Sequence, residues 1–284
     1  MSDSPKRIAI LTDSTCDLSQ EYRRKHNIYV VPQLLVWGQE TLRDEYDIDA
    51  ETFFKRLATD PVHPRTSQPS VGDFLEMYNQ IGQEADEIVA VLISHHLSGS
   101  IASAEGAKEM VDIPVHIVNS LSVTLGLGAA VMAAVAAREA GGDVAAIVAA
   151  AEERARNHNL VFVVDTLEYL HKGGRIGGAR KLLGTALNIK PVLQIVDGRI
   201  EPRESVRTRS KAITRMLEVA AEGLDTNAPL GGAVLHGNAP EDGALVAERY
   251  RELYQPQEFT MSEVTPIVGV HSGPGVIGVV SYNL

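Results

Sequence analysis

The chain has 284 residues, which is enough for one large hydrophobic core or two ordinary ones. Its 44% hydrophobic and 22% charged residues are typical of a soluble globular protein. The formal net charge of −11 argues against nucleic-acid binding, which requires a broad basic face. The single cysteine, Cys16, excludes an intrachain disulfide and indicates a cytoplasmic location.

No apolar stretch of the sequence predicts a signal peptide or a membrane span. The N-terminus contains only a short apolar run at residues 8–11. The longest uncharged stretch of the alanine-rich region, residues 125–137, is well below the roughly 20 residues that cross a bilayer. We therefore expect no integral membrane segment.

The first half of the sequence alternates predicted strands, polar loops and helices. This order predicts a parallel sheet with crossover helices, and such sheets bind ligands where their strands end. Polar residues follow the strand-like runs that end at Leu11, Ile93 and Val118. The predicted strands are residues 8–11, 29–36, 87–93 and 115–118. One predicted helix starts near residue 18, and the others cover residues 47–58, 71–83, 101–111, 124–140 and 143–158.

The second half predicts a mixed α+β arrangement. An Asp-Gly pair at Asp197 predicts a hairpin between strands at 192–196 and 199–207. Other predicted elements are a strand at 161–164, a helix at 182–187, a helix at 211–223, a strand at 232–235 and two strands around a tight turn within 267–282. The predicted fold class is therefore two-domain α/β, with a parallel-sheet domain at residues 1–158 and a mixed α+β domain at residues 159–284.

The stretch YLHKGGRIGGARKLLG, residues 169–184, combines glycines with basic side chains. It lacks the spacing of a Walker phosphate loop and of a dinucleotide-binding loop, so a nucleotide site is not predicted. Arg175 lies between two glycine pairs, an arrangement that suits bidentate binding of a carboxylate or phosphate. Residues 165–215 carry 11 Lys and Arg against five Asp and Glu, so this basic zone suits an acidic ligand or partner.

Several motifs occur in order along nearly the whole chain, namely TDST (12–15), RTSQPS (65–70), LSGS (97–100), GLG (126–128), DTLEYLHKGGRIGG (165–178), VRTRSKA (206–212) and HSGPG (271–275). Together they resemble the DegV family of bacterial lipid-binding proteins. The resemblance implies two α/β domains with one long-chain fatty acid in a tunnel between them. It also implies a carrier that is not itself an enzyme and needs no cofactor. A separate kinase subunit would bring ATP and convert the bound fatty acid to an acyl phosphate.

The resemblance also implies roles for individual residues. Thr66 and Ser98 would donate hydrogen bonds to the fatty acid carboxylate, Gly99 would add its backbone N–H, and His271 would lie close to the same group.

The resemblance also implies roles for two arginines in binding the head group or the kinase subunit. Arg175 would lie near the head group or on the surface facing the kinase. Arg207 would help to dock the kinase or steady the acyl phosphate. The basic zone would then meet an acidic surface of the kinase.

The sequence departs from the family pattern at two places. His95 and His96 stand where the family usually has a serine and a small residue, and Asn119 replaces a common aspartate. Adjacent histidines on an extended segment point to opposite faces, and no HxxxH or CxxC pattern completes a ligand set. We therefore predict no metal site.

Two alternative functions remain open on the sequence. The first is a hydrolase or acyltransferase using Ser14 or Ser98 with a histidine, and Ser14, His271 and Asp165 can be drawn as a triad. No GxSxG motif supports that reading. The second is a carrier of another amphipathic anion, since the same head-group residues would serve it. Cys16 is interpreted as a small buried residue rather than a reactive thiol.

Overall fold

The computed structural model describes residues 6–184 and 189–284. The strands are β1 (Ile8–Asp13), β2 (Ile28–Val31), β3 (Leu34–Trp37), β4 (Glu40–Arg43), β5 (Arg65–Ser67), β6 (Glu87–Leu92), β7 (Val115–Asn119), β8 (His158–Val163), β9 (Lys190–Val196), β10 (Arg199–Val206), β11 (Leu230–His236), β12 (Glu258–Glu263) and β13 (Ile277–Asn283). The α-helices are α1 (Gln20–Lys25), α2 (Ala50–Thr59), α3 (Val71–Ile81), α4 (Ser100–Lys108), α5 (Thr124–Glu139), α6 (Val144–Arg156), α7 (Glu168–Lys172), α8 (Arg209–Val219), α9 (Pro240–Tyr254) and α10 (Pro266–Ser272). Short 3₁₀ helices cover Ser14–Cys16 and Gly177–Leu182.

The first domain is built on a parallel sheet with strand order β2-β1-β6-β7. Successive residues of a strand point to opposite faces, so each strand supplies two packing surfaces. Leu11 and Ala90 pack on the side of α3 and α4, whereas Ile10 and Val89 pack on the side of α5 and α6. Helices on both faces bury the sheet, as a parallel sheet requires.

The second domain is built on a mixed sheet with strand order β10-β9-β8-β13-β11-β12. Its pairs are antiparallel except for β11 and β12, which are parallel. Val161 and Val163 pack against the core formed with α8 and α9. Leu160 and Phe162, on the other face, join the core that reaches the first domain. The mixed sheet therefore presents one apolar face to the parallel-sheet domain.

A third, small sheet with order β4-β3-β5 connects the two larger units. It is antiparallel, and its pairing sets Thr66 opposite Leu35. Helix α10, which precedes β13 of the mixed sheet, packs against α2, β3 and β5. Residues near the C-terminus of the chain are thereby brought beside the TSQPS segment of the first half.

Two predicted elements were wrong, and both errors affect the site. Residues 29–36 form two strands rather than one, because Pro32 has no N–H to continue a ladder and the chain changes sheet there. Residues 267–282 form α10 and β13 rather than two strands. Pro266 starts the helix and Gly273, with φ +72°, ends it, and these signals outweigh the β-branched residues between them.

The parallel-sheet and mixed-sheet domains confirm the predicted fold class. Strand β8 begins at His158, and the boundary at residue 158 stays a prediction. Of the helix predicted at 182–187, residues 185–187 lie outside the described part of the chain, and Leu182 ends a 3₁₀ helix. Among the described residues, no helix combines the length and apolar character that a membrane crossing requires.

Candidate ligand-binding site

A cavity lies between the two domains, with about 770 Å³ of space free of protein atoms when its open mouth is included. Its wall is largely aliphatic and draws on both domains, with Ile93, Leu97, Leu160, Phe162, Leu235 and Val276 among the lining residues. The polar side chains that interrupt this wall include Gln33, Thr66, Ser98, Arg175 and His271, which we call the polar cluster.

Thr66 and His271 form one hydrogen-bonded pair within the polar cluster. Thr66 is the middle residue of β5, and His271 lies in the last turn of α10. The Thr66 Oγ1 and His271 Nε2 atoms are 2.8 Å apart. Burial lowers the pKa of His271 to about 3, and the positive charge of Arg175 and the nearby His63 act in the same direction. The imidazole is therefore neutral at physiological pH.

Ser98 lies in the loop between β6 and α4, at the carboxyl end of a parallel strand. Its Oγ is 2.9 Å from Ser100 Oγ. Gly99 is the N-cap of α4, which has no side-chain cap, so the positive end of that helix faces the same loop. Gly99 itself is not among the residues that line the cavity. A Cβ at Gly99 would come within 3.0 Å of the Gln68 side chain, so glycine allows Gln68 to approach.

Arg175 supplies the positive charge of the polar cluster. Its Nε donates to the Leu97 carbonyl at 3.0 Å and its Nη1 to the Gly173 carbonyl at 2.9 Å. These two bonds fix the guanidinium between the glycine-rich stretch and the loop that carries Ser98. With neutral His271 and uncharged Gln33, Thr66 and Ser98, the polar cluster carries one positive charge. That charge matches a singly charged anion.

Arg207 lies apart from the cavity. It is exposed and follows β10 just before α8. Several other cations of the basic zone are engaged in ion pairs, namely Lys172 with Glu168, Lys190 with Asp165, Arg209 with Asp165 and Asp242, and Arg215 with Glu204 and Glu218. The exposed cations of the zone include Arg180, Lys181, Arg199, Arg207 and Lys211.

The residues of the suggested hydrolase triad are not brought together. Ser14 Oγ donates to Asp44 Oδ2 at 2.6 Å and accepts from the Gln33 backbone N–H at 3.1 Å. Asp165 pairs with Arg209 and Lys190. Ser98 is hydrogen-bonded to Ser100. Among the described contacts, neither Ser14 nor Ser98 has a histidine partner. Among the described residues, the Nδ1 atom of His271 has no partner that would orient it as a base.

His95 and His96 lie in a turn rather than an extended segment, so the expectation that they point apart was wrong. Their ring centroids are 3.7 Å apart, and His95 Nδ1 is 2.6 Å from Asn119 Nδ2. Within residues 6–184 and 189–284, no group of three or more His, Cys, Asp or Glu side chains has the arrangement of a metal site. Cys16 is fully buried, as expected, and burial raises its pKa to about 12.

Gln33 and Thr124 also line the cavity, and neither was predicted from the sequence. Gln33 was predicted to be an ordinary strand residue, because residues 29–36 were predicted as a single strand. Its position directly after Pro32, between two apolar runs, was the only signal in the sequence. Thr124 begins α5 with φ +54°, which is unusual for a β-branched residue and not readable from sequence.

The fold and the cavity define a class of protein, namely a two-domain α/β binding protein with an interdomain aliphatic cavity and a cationic, hydroxyl-rich cluster. The chain belongs to the DegV family. The family model, described as "Uncharacterised protein, DegV family", matches residues 7–284.

Sequence relatives and solved structures agree with this membership. A DegV domain-containing protein of Streptomyces coelicolor is 40% identical over 97% of this chain and 98% of its own length. The solved DegV family protein of Thermus thermophilus, described for its fatty acid binding, has a TM-score of 0.90 at 34% identity, over 98% of this chain and all (100%) of that chain. DegV of Bacillus subtilis, described as a fatty acid binding protein, has a TM-score of 0.90 at 31% identity over the same shares, 98% and 100%.

Proposed function

We propose that this protein binds one long-chain fatty acid in the interdomain cavity and presents the carboxylate to a separate, ATP-dependent fatty acid kinase subunit. The observation that carries the proposal is an aliphatic cavity with a singly positive polar cluster. Fatty acid binding by the relatives from Thermus thermophilus and Bacillus subtilis supports it. The chain itself would hold no cofactor, since ATP belongs to the kinase.

The aliphatic wall accounts for the binding of the acyl chain. Each methylene removed from water contributes roughly 0.8 kcal/mol, so a long chain gains far more from the wall than a short one. The wall is built from residues such as Leu160, Phe162 and Leu235, which the mixed sheet directs away from α8 and α9. The cavity therefore suits a flexible hydrocarbon without requiring a specific shape of ligand.

The polar cluster accounts for the binding of the head group. If His271 carries its proton on Nε2, it donates to Thr66 Oγ1, and the Thr66 hydrogen is then available to the ligand. Ser98 would add a second hydroxyl donor, Gly99 a backbone N–H, and Arg175 the opposite charge. In this proposal an ionised carboxylate is bound by charge-assisted hydrogen bonds, which are stronger than neutral ones.

Calorimetric titration of the delipidated protein with hexadecanoate tests this assignment. Removing a hydroxyl that bonds a charged group costs about 1.5–3 kcal/mol, so Thr66→Val and Ser98→Ala should each weaken binding about 10- to 100-fold. Thr41→Val, at an exposed position on β4, is the matched control and should bind as the unaltered protein does. Equal affinity in all four proteins would contradict the head-group assignment. Tighter binding of lysophosphatidic acid than of hexadecanoate would favour another amphipathic anion.

The kinase role rests on the family resemblance and on the exposed cations. Arg207 and the exposed Lys211, in the first turn of α8, form a charged surface outside the cavity. Such a surface would steer an acidic partner and lose strength in salt. We place the complex in the cytoplasm, where ATP is available and the single Cys16 stays reduced.

A further inference from the structure

A buried network of hydrogen bonds joins Ser98 to Ser100 and to Gln33, which also lines the cavity. Gln33 and Ser100 have exposed fractions of 2% and 0%. Gln33 Nε2 donates to Ser100 Oγ at 2.8 Å, and Ser100 Oγ is 2.9 Å from Ser98 Oγ. The remaining contact, between Ser98 Oγ and Gln33 Oε1, is long at 3.5 Å.

The amide of Gln33 sets the direction of this chain. A hydroxyl has one hydrogen, and Ser100 Oγ already accepts from Gln33 Nε2. The Ser100 hydrogen is therefore free to point to Ser98 Oγ, which also accepts from the Ser100 backbone N–H at 3.4 Å. The Ser98 hydrogen is then left with only the long contact to Gln33 Oε1, so a stronger acceptor in the cavity would capture it.

Gln33 is itself held by a second set of buried bonds. Its backbone N–H donates to Ser14 Oγ at 3.1 Å, and Ser14 donates to Asp44 Oδ2 at 2.6 Å. Asp44 Oδ1 accepts from the Ile267 backbone N–H at 3.3 Å, at the start of the helix that carries His271. Ser14 and Asp44 therefore link Gln33 by hydrogen bonds to the helix that carries His271.

We infer that Gln33 and Ser100 are positioning residues that fix the Ser98 hydroxyl as a hydrogen-bond donor and so make the site select an ionised carboxylate over a neutral alcohol. The inference rests on the proposed function and adds its head-group specificity. A carboxylate only accepts hydrogen bonds, so it fits a site whose hydroxyls donate. A fatty alcohol also has a hydrogen to donate. Ser98 Oγ already accepts hydrogen bonds from the Ser100 hydroxyl and backbone N–H, so it cannot accept that hydrogen as well.

A variant that reverses the direction of the hydrogen bonds from Gln33 through Ser100 to Ser98 tests this role of Gln33. In Gln33→Glu, the carboxylate accepts from Ser100, Ser100 accepts from Ser98, and Ser98 Oγ faces the ligand as an acceptor. Gln33→Met, which neither donates nor accepts strongly, is the uncharged matched variant. Equilibrium dialysis measures the affinity of each protein for radiolabelled hexadecanoate and 1-hexadecanol, and chemical denaturation checks that each variant is folded.

The inference predicts opposite changes for the two ligands. Gln33→Glu should weaken hexadecanoate binding at least about tenfold and strengthen 1-hexadecanol binding by about threefold, while Gln33→Met should lower only the acid affinity, by about threefold. Should Gln33→Glu fail to fold, a lower acid-to-alcohol affinity ratio in Gln33→Met supports the inference and an unchanged ratio overturns it.

Other outcomes separate this inference from the proposed function. Equal losses for both ligands would mean that Gln33 only maintains the fold, and an unchanged alcohol affinity in Gln33→Glu would mean charge repulsion alone. Either result overturns the inference while hexadecanoate binding by the unaltered protein still supports the proposed function. Failure of the unaltered protein to bind hexadecanoate overturns both.

Discussion

The imidazole of His271 lies 2.8 Å from the hydroxyl of Thr66, although the two residues are 205 positions apart in the sequence. The contact joins α10, next to the mixed sheet, to β5 of the small sheet. It therefore depends on how the two halves of the chain pack together. Gly173 of the glycine-rich stretch lies directly against the ring, because a Cβ there would overlap with His271 Nδ1.

Gly173→Ala is expected to weaken ligand binding although Gly173 does not itself line the cavity. The added methyl would push the His271 ring away, and its hydrogen bond to Thr66 would lengthen or break. We expect hexadecanoate affinity to fall roughly tenfold, the usual cost of one hydrogen bond to a charged group. Titration calorimetry measures it, with Gly72→Ala as the control because its Cβ would meet only Ser70 Oγ at 3.5 Å. Unchanged affinity in Gly173→Ala would mean that the ring position does not matter.

His271 should make the protein less stable in acid. Its pKa is about 3 when folded, because burial disfavours the charged form, against 6.5 for an ordinary histidine. Between those pH values the unfolded state binds more protons, so the free energy of unfolding falls as the pH falls. Between pH 6.5 and pH 5 this group alone would remove about 1–2 kcal/mol.

Chemical denaturation at pH 7 and pH 5 checks this linkage. The loss of stability between the two pH values should be smaller in His271→Gln than in the unaltered protein. His171→Gln, at an exposed position on α7, should behave as the unaltered protein does. Parallel pH profiles for all three proteins would show that His271 takes up its proton as readily when folded as when unfolded.

Asp44 should make the protein less stable as the pH rises, which is the opposite of the effect of His271. Burial raises its pKa to about 7 from the model-peptide value of 3.8, with nearby Glu45 contributing. The folded state then binds more protons between these values, and stability is lost as the pH rises through about 7. The difference in unfolding free energy between pH 6 and pH 8 should therefore shrink in Asp44→Asn by about 1.4 kcal/mol.

Asp47 provides the matched control for Asp44. It is an exposed neighbour whose pKa is lowered to about 2 by hydrogen bonds from Arg43, so it stays ionised throughout pH 6 to 8 in both states. Asp47→Asn should leave the slope of stability against pH unchanged. If Asp44→Asn also left the slope unchanged, Asp44 would be ionised in the folded protein at pH 6.

Arg207→Glu should uncouple the two proposed roles of the protein. Arg207 does not line the cavity, so hexadecanoate affinity should be unaltered. Phosphorylation of the bound fatty acid by the proposed kinase subunit should slow several-fold at low ionic strength, and the deficit should shrink as salt is added. Arg24→Glu, exposed on α1 in the other domain, is the control. Equal rates for both charge reversals would remove Arg207 from the docking surface.

The strands that are apolar runs with clear ends, such as β1 and β6, were predicted from the sequence. The largely polar strands β4, β5 and β12 and the helix α9 were not. The Asp197-Gly198 hairpin is a local signal, and it is present in the structure. Errors arose where two local signals compete. In residues 267–272, the β-branched run favoured a strand, but Pro266 and Gly273 bound a helix.

The site could be predicted only in part, because its members meet through tertiary packing. Motif resemblance singled out Thr66, Ser98, Arg175 and His271, and all four line one cavity. Pattern alone gave no reason to select Gln33 or Ser100, since their importance lies in a buried hydrogen-bond chain between separate elements. Nor could periodicity show that the Arg207 side chain would lie outside the cavity.

Native mass spectrometry of protein purified without detergent would show whether the interdomain cavity holds a fatty acid. We expect one adduct per chain with the mass of a long-chain fatty acid, identified after extraction. The double variant Thr66→Val and Ser98→Ala should lose that adduct, while Thr41→Val should retain it. A protein that emerges bare, and stays bare after incubation with hexadecanoate, would contradict the claim that this cavity holds a fatty acid.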